Sequence, residues 1–262
     1  MTDTRPAWDP KQYDLFEAER FRAVRELLRR LPADFEPDEI WDLGCGGGRD
    51  AAGLKRWRPE ARVHGLDSSE AMLAQAQARR DEVDWRLGGI ADWTPERPVD
   101  LILANASLQW LPDHDTLLRR LAGTLAPGGV LAVQMPIAHE TRHHVIMRQV
   151  ADEGPWAKAL AGVHRIAPLL SAEAYYAVLS ETCESIDIWT TTYLQVLRQP
   201  NAVLEWMKGT ALRPYLAALE DPIMRQAYLD ALGARLSEAF PRRADGVTLM
   251  PFPRLFLVAR RR

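Results

Sequence analysis

Apolar positions recur every three or four residues through Tyr13–Leu31, a pattern that predicts an amphipathic helix near the start of the chain. Beyond it, short apolar runs alternate with amphipathic stretches. Strands are predicted at Glu39–Leu43, Arg62–Leu66, Val83–Leu87, Leu101–Ala104 and Val130–Met135. The intervening stretches Asp50–Trp57, Ser68–Arg80 and Asp113–Leu125 read as helices. Ser68 or Ser69 is placed to cap the second of these, with Glu70 in its first turn. Pro127-Gly128-Gly129 predicts a tight turn into the fifth strand. Strand–helix alternation of this kind builds a parallel sheet with helical crossovers.

The rhythm then breaks. Residues 137–170 are rich in His, Trp and Pro and show no clean strand–helix alternation. A helix at Ser171–Thr182 and a β-branched strand at Ile186–Leu197 resume the sheet, residues 200–240 read as helical, and Leu255–Ala259 is the last strand. The organisation expected is an N-terminal helical lid (1–35), a core (36–136), a cap insertion (137–170), core again (171–199), a helical cap insertion (200–245), and a final core strand with its tail (246–262). No internal repeat or low-complexity segment is evident.

Composition narrows the function. A chain of 262 residues holds one large α/β domain, or a core plus a cap. The net charge of −3 gives no electrostatic footprint for nucleic acid. No apolar run approaches the roughly 20 residues of a membrane span, and the N-terminus lacks the apolar core of a signal peptide. Cys45 and Cys183 form no CxxC pair, which fits a reducing compartment. A cytoplasmic protein is expected, its oligomeric state open. His143 and His144 are adjacent, but no acid or cysteine completes a ligand set, so no metal is expected. Of the 33 basic residues all but Lys11, Lys55, Lys158 and Lys208 are arginines, which suit bidentate carboxylate recognition; a composition bias explains the excess equally well.

The densest chemical signal is Trp41-Asp-Leu-Gly-Cys-Gly-Gly-Gly-Arg49, which reads as a strand end, a glycine-rich turn and a helix start. Glycine suits a sharp turn where a ligand comes close to bare backbone; an ordinary strand-to-helix turn has the same look. Asp67 ends the second strand, 23 residues after Gly44, where an acid accepts hydrogen bonds from both ribose hydroxyls of an adenosine. Alternatively it is an acid favoured by the dipole of the next helix. Loop and acid would also serve NAD. Against NAD, a Gly-x-Gly-x-x-Gly register starting at Gly44 puts Arg49 at the third glycine, and a pyrophosphate loop has no use for Asp42. S-adenosylmethionine (SAM) carries an ammonium that Asp42 would attract.

With Asp42, Gly44, Gly46, Gly48 and Asp67 in these places, the chain resembles the class I SAM-dependent methyltransferases, and within them the trans-aconitate methyltransferases. The resemblance runs over almost the whole length. It includes Trp8-Asp-Pro10 with Tyr13, Phe16, Glu19 and Arg20, then Gly65-Leu-Asp-Ser-Ser69 with Met72, and Asn105-Ala-Ser-Leu-Gln-Trp-Leu-Pro-Asp-His114. Val130-Leu-Ala-Val-Gln-Met-Pro136, Gly162-Val-His164, Asp187-Ile-Trp189, Leu212-Arg-Pro214 and Phe252-Pro-Arg-Leu-Phe256 follow. It implies a Rossmann-like α/β fold: a mostly parallel seven-stranded sheet with one antiparallel strand and helical cap insertions.

It also implies SAM as cofactor, held by Asp42, Gly44, Gly46, Gly48, Asp67, Ser68, Ile90 and Asn105, with Arg20 on its carboxylate as residues 8–20 close over it. Many such enzymes place an acid after the third strand against the adenine amino group; Gly89 stands there, with Asp92 three residues on, so the Ile90 N–H is expected to hold the ring. Asn105-Ala-Ser-Leu108 differs from the Asn-Pro-Pro-Tyr of enzymes that methylate nucleobases or glutamine. Asn105 is otherwise a turn former at a strand end. The implied substrate is trans-aconitate or a close polycarboxylate, esterified at one carboxyl. Candidate ligands for it are Trp110, Gln134, His164, Tyr176, Arg213 and Arg254, with Tyr175 and Tyr193 as further phenols. Arg213 and Arg254 stand in apolar contexts, where a charge usually has a partner. Trp110 walls the methyl pocket or packs beneath the next helix. An ionised carboxylate needs no general base, so no catalytic residue is assigned. A methyltransferase for another small molecule, or a SAM-binding protein without turnover, remains the alternative; an NAD oxidoreductase is a more distant one.

Overall fold

The computed structural model describes residues 17–163 and 166–262, of residues 17–21 the backbone alone. Seven strands form one sheet in the order β3-β2-β1-β4-β5-β7-β6. These are β1 (Glu39–Leu43), β2 (Arg62–Asp67), β3 (Asp84–Leu87), β4 (Val99–Asn105), β5 (Leu125–Pro136), β6 (Cys183–Leu197) and β7 (Thr248–Arg261). β1 to β5 pair in parallel, and β7 runs antiparallel to β5. The central strands are buried on both faces, which is why β1 and β4 read as continuous apolar runs rather than alternating ones.

The chain divides into two compact units. The sheet unit comprises Ala18–Pro136, Leu169–Thr191 and Arg254–Arg262. Its helices are α1 (Glu17–Leu28), α2 (Arg49–Trp57), α3 (Glu70–Ala78), α4 (His114–Gly123) and α7 (Ala172–Leu179). Ser69 caps α3, accepting from the Met72 N–H at 3.4 Å. The predicted turn at Pro127-Gly128-Gly129 is instead an irregularity inside β5: Val99 pairs with Leu125 and Leu101 with Val130, so the extra residues bulge out without ending the strand.

Helix α1 belongs to the sheet unit, where it buries Ala23, Val24 and Leu27. Its Glu26 accepts from Trp189 Nε1 at 2.9 Å and Thr191 Oγ1 at 2.6 Å. Trp189 in turn stacks on Phe256. Residues 18–35 thus differ from the lid expected over 1–35, and residues 1–16 lie outside the described ones.

The second unit includes Ile137–Pro168 and Thr192–Pro253. Its boundaries fall within β6 and β7, whereas the sequence pattern put them at the ends of those strands. Helices α5 (Arg142–Glu153), α6 (Ala157–Leu160), α8 (Ala202–Lys208), α9 (Arg213–Ala218) and α10 (Pro222–Ala239) surround an apolar core of its own. Trp156 meets Tyr228 edge-on, and Tyr215 stacks on Tyr228. The regular helix α5 was hidden in the sequence because its buried stripe is His143, His144, Met147, Val150 and Ala151. Two histidines in a core face mask the helical periodicity.

Those histidines make the second unit acid-sensitive. Thr141 Oγ1 lies 3.3 Å from His143 Nε2 and 2.7 Å from His144 Nδ1, and His143 stacks on Phe252. Burial holds the His143 pKa down at about 4. Burial, then His143, Arg148 and His139, push His144 well below the ordinary imidazole value. The unfolded chain binds these protons near pH ~6.5, so the stabilisation is complete above that pH. It is lost as pH falls toward 4, at about 1.4 kcal/mol per pH unit per histidine. Calorimetry should show Tm falling from pH 6.5 to 4.5, with a shallower slope in His143→Phe. An unchanged slope in that variant would remove His143 as a cause.

Candidate functional site

The turn between β1 and α2 is held by backbone and side-chain bonds to the two neighbouring strands. The Gly44 and Cys45 N–H groups donate to Leu66 O at 2.7 and 3.0 Å. Asp67 Oδ2 accepts from the Gly46 N–H at 2.8 Å and Oδ1 from the Ser69 N–H at 2.9 Å. Ser107 Oγ donates to Leu43 O at 2.7 Å. Gly44 has φ +81°, and a Cβ there would stand 2.3 Å from the Ser107 Cβ. Gly48 has φ +79°, and its Cβ would stand 2.5 Å from the Trp85 ring. Close approach as well as positive φ therefore requires glycine at both ends of the loop.

The acid end of the sheet's carboxyl edge follows from this turn. Asp42 is buried on β1 and accepts the Ala51 N–H, satisfying a donor of the first turn of α2, whose N-cap, Gly48, has no side chain. Its Oδ2 is buried with no partner among the described residues. Burial first, then Asp50 and Asp67, raise the Asp42 pKa well above the usual carboxylate value, against the Ala51 bond. Asp50 accepts from Asn105 Nδ2 at 2.8 Å. Burial raises its pKa too, opposed by that bond and by Arg49. Cys45 lies among the same acids. Burial and then Asp42 and Asp67 push its thiol up, so it is no thiolate nucleophile.

The opposite end is basic. Asn105 of β4 pairs with Gln134 of β5, and Gln134 Oε1 accepts from Arg254 at 2.6 Å. Gln134 is fully buried and Arg254 is 4 % exposed. The Gln134 Nε2 has no partner among the described residues. Asp67 lies two residues beyond Gly65, Gly65 pairs with Asp42, and Asp42 with Leu103, two residues before Asn105. The period of two then puts Asp67, Asp42, Asn105, Gln134 and Arg254 on one face of the sheet. Carboxylates stand on β1 and β2, two amides on β4 and β5, and a guanidinium on β7.

Other expected residues fall as follows. Ile90 is buried; its carbonyl accepts from Arg120 at 2.6 Å, and its Cδ1 lies 3.6 Å from where a Gly44 Cβ would stand. Asp92 Oδ2 lies 3.8 Å from the position of a Cβ at Gly89, so the acid three residues on reaches the place the glycine leaves open. Ser68 is exposed, the capping role going to Ser69. Trp110 ends a short 3-10 turn, Leu108–Trp110, and is half-buried. Tyr176 is 56 % exposed on α7, while Tyr175 is buried and bonds His114 Nδ1 at 2.6 Å. Neighbours on a helix differ by about 100° in direction, so the solvent-facing Tyr176 does not suit an enclosed ligand. Burial first pushes the Tyr175 pKa up to about 12. Arg213 is half-buried at the start of α9, in the second unit. Tyr193 is buried there. His164 and the Arg20 side chain lie outside the described residues. Asp50 and Ser107 escaped the sequence reading. Asp50 looks like any acid opening a helix, and its contact with Asn105 spans 55 positions.

A family described as "Methyltransferase domain" matches residues 40–129. Trans-aconitate 2-methyltransferase of Azoarcus sp. (strain BH72) is 49 % identical over 97 % of this chain and 99 % of its own. That of Methylobacterium radiotolerans is 47 % identical over 97 % and 98 %. The chain belongs to the trans-aconitate 2-methyltransferase family. The fold agrees with solved structures. Phosphoethanolamine N-methyltransferase 2 of Haemonchus contortus superposes with TM-score 0.57 at 18 % identity, over 92 % of this chain and 52 % of its own. The YcgJ protein of Bacillus subtilis gives 0.58 at 12 %, over 94 % and 99 %. The α/β sheet expected for a class I methyltransferase is therefore the observed one.

The residues of this methyltransferase fit SAM on three counts. A turn that admits no Cβ at Gly44 leaves bare backbone, Asp67 at the end of β2 is tied to that turn through the Gly46 N–H, and the orphaned Asp42 Oδ2 suits a cationic amino group. Asp67→Ala should weaken S-adenosylhomocysteine (SAH) binding by roughly 1–3 kcal/mol, and more if the loop loosens with the Gly46 bond. Titration calorimetry giving the wild-type affinity would remove Asp67 from the site. Among the described residues no helix is long and apolar enough to cross a membrane, and no cluster of three or more His, Cys, Asp or Glu could hold a metal ion.

Proposed function

We propose that this chain transfers the methyl group of SAM to one carboxylate of trans-aconitate, giving the monomethyl ester. The observation that carries this reading is the polarity of the sheet's carboxyl edge: Asp42, Asp50 and Asp67 at one end, Arg254 on Gln134 at the other, and Asn105 between. A cationic donor suits the first end and a polyanionic acceptor the second. Near-full-length identity with enzymes named trans-aconitate 2-methyltransferase supports the same donor and acceptor.

The sulfonium supplies an electrophilic methyl carbon. Asp67 accepts the ribose hydroxyls and Asp42 the ammonium. Arg254, prealigned by Gln134, presents its planar fork to a substrate carboxylate. That carboxylate is ionised at neutral pH, its ordinary pKa being ~4, so no side chain has to remove a proton. His114, engaged by Tyr175 and by Leu108 O, is not needed as a base. Holding oxygen, methyl carbon and sulfur in line is worth on the order of 7–11 kcal/mol.

Trp110 as a wall of the methyl pocket and a cytoplasmic location belong to the same proposal. The test is SAH release from SAM with trans-aconitate, beside cis-aconitate, citrate and isocitrate. Turnover favouring the trans isomer is expected. Tight SAM binding with no turnover on any of these acids overturns the acceptor and leaves another methyltransferase or a non-catalytic SAM protein.

A further inference from the structure

Asp50 adds to the negative charge of the donor end but is given no contact of its own in the reaction just described, yet its placement is costly. An acid that opens a helix ordinarily sits in water, where the dipole favours it modestly. Asp50 is instead half-buried beside the buried Asp42, where partial loss of water and the neighbouring charge both disfavour its ionised form. Like charges buried together are disfavoured unless something cationic joins them. Arg49 acts on Asp50, and the Ala51 N–H on Asp42, but neither residue returns to its ordinary carboxylate pKa.

The contact with Asn105 explains the arrangement. A carboxylate only accepts hydrogen bonds, so the 2.8 Å contact must be made by Asn105 Nδ2. The opposite amide orientation would set two oxygens face to face. With Nδ2 committed to Asp50, Oδ1 is the free end of the amide, buried and without a partner among the described residues. Asp42 Oδ2 is a second such acceptor. Two buried orphan acceptors and two carboxylates at one place suit a group that brings several N–H donors and a positive charge.

We infer that Asp50 is a positioning residue for the cofactor's ammonium group: it locks the Asn105 amide with Oδ1 as acceptor and adds its charge to that of Asp42. The inference rests on the SAM reading and adds a residue to it. Two ligands separate it from a merely structural role. SAH carries the amino-acid end, whereas 5′-methylthioadenosine has the adenosine and thioether without it.

By titration calorimetry, Asp50→Asn should weaken SAH at least about tenfold and methylthioadenosine less than about twofold, with Tm unchanged or raised by the lost repulsion. Asn105→Leu, which removes the amide but leaves Asp50, should reproduce the SAH-selective loss. Equal losses for both ligands would mean that Asp50 only shapes the loop, and no loss for either would mean that it does nothing there; each overturns the inference. If the wild-type protein binds neither ligand, it is the SAM reading that has failed, an outcome distinct from the other two.

Discussion

Arg254→Ala should lower kcat/KM for trans-aconitate by roughly thirty- to several-thousand-fold. The range corresponds to the ~2–5 kcal/mol lost when one partner of a buried, hydrogen-bonded charge pair is truncated. Arg254 is not a surface charge: it is 4 % exposed and held at 2.6 Å by a glutamine that is itself fully buried. The loss should fall mainly on KM, with SAH affinity unchanged within about twofold, because the residues proposed to hold adenosine and ammonium stand on β1, β2 and β4, away from β7 in the strand order. Arg254→Lys should recover only part of the activity, since an ammonium cannot form the two parallel bonds of a guanidinium. Steady-state kinetics with SAH calorimetry on the same preparations decides the matter. A normal KM in Arg254→Ala would falsify the assignment of Arg254 to the substrate.

Gly44→Ala should abolish measurable SAH binding, a loss of at least about a hundredfold, while the protein stays folded with a lowered Tm. Two penalties add. A non-glycine residue in the left-handed region costs about 1–3 kcal/mol, and φ here is +81°. The new Cβ would also stand 2.3 Å from the Ser107 Cβ, an overpacking that costs about 1–3 kcal/mol more. Relief requires the loop to move away from β4, and such a movement breaks either the Ser107–Leu43 bond or the Gly46–Asp67 bond. Ser107→Gly in the same chain should restore part of the Tm but not the binding, because the φ penalty and the lost Leu43 bond remain. Native SAH affinity in Gly44→Ala would show that the cofactor does not lie against this turn.

Much of the sheet unit was legible in the sequence because its signals are local. The residues of β1 were predicted as observed, and α2, β2, α3, β3, β4 and α4 within a few residues, since the central strands β1 and β4 are mainly apolar and short strand-forming runs alternate with amphipathic helices. Asp67 and the loop glycines were legible because strand end, turn chemistry and helix start follow one another along the chain. Three features were not. The turn at Pro127–Gly129 became a bulge because Val99 and Leu101 of β4 supply pairing on both sides of it. Helix α5 was masked by histidines whose burial only the packing of the second unit explains. Tyr175 and Tyr176 could not be told apart without the helix face that turns one inward and the other to solvent.

The sequence by itself determined the fold class, the glycine-rich turn after β1 and, through its resemblance, the family. These depend on glycine conformation, on hydrophobic period and on short spacings that any chain with those residues must obey. Tertiary structure alone decided the electrostatic order of the site. Asp50 meets Asn105 across 55 positions and Arg254 meets Gln134 across 120. Those contacts exist because the register of β4, β5 and β7 brings distant residues to one edge, where burial makes each charge depend on the partner packed beside it.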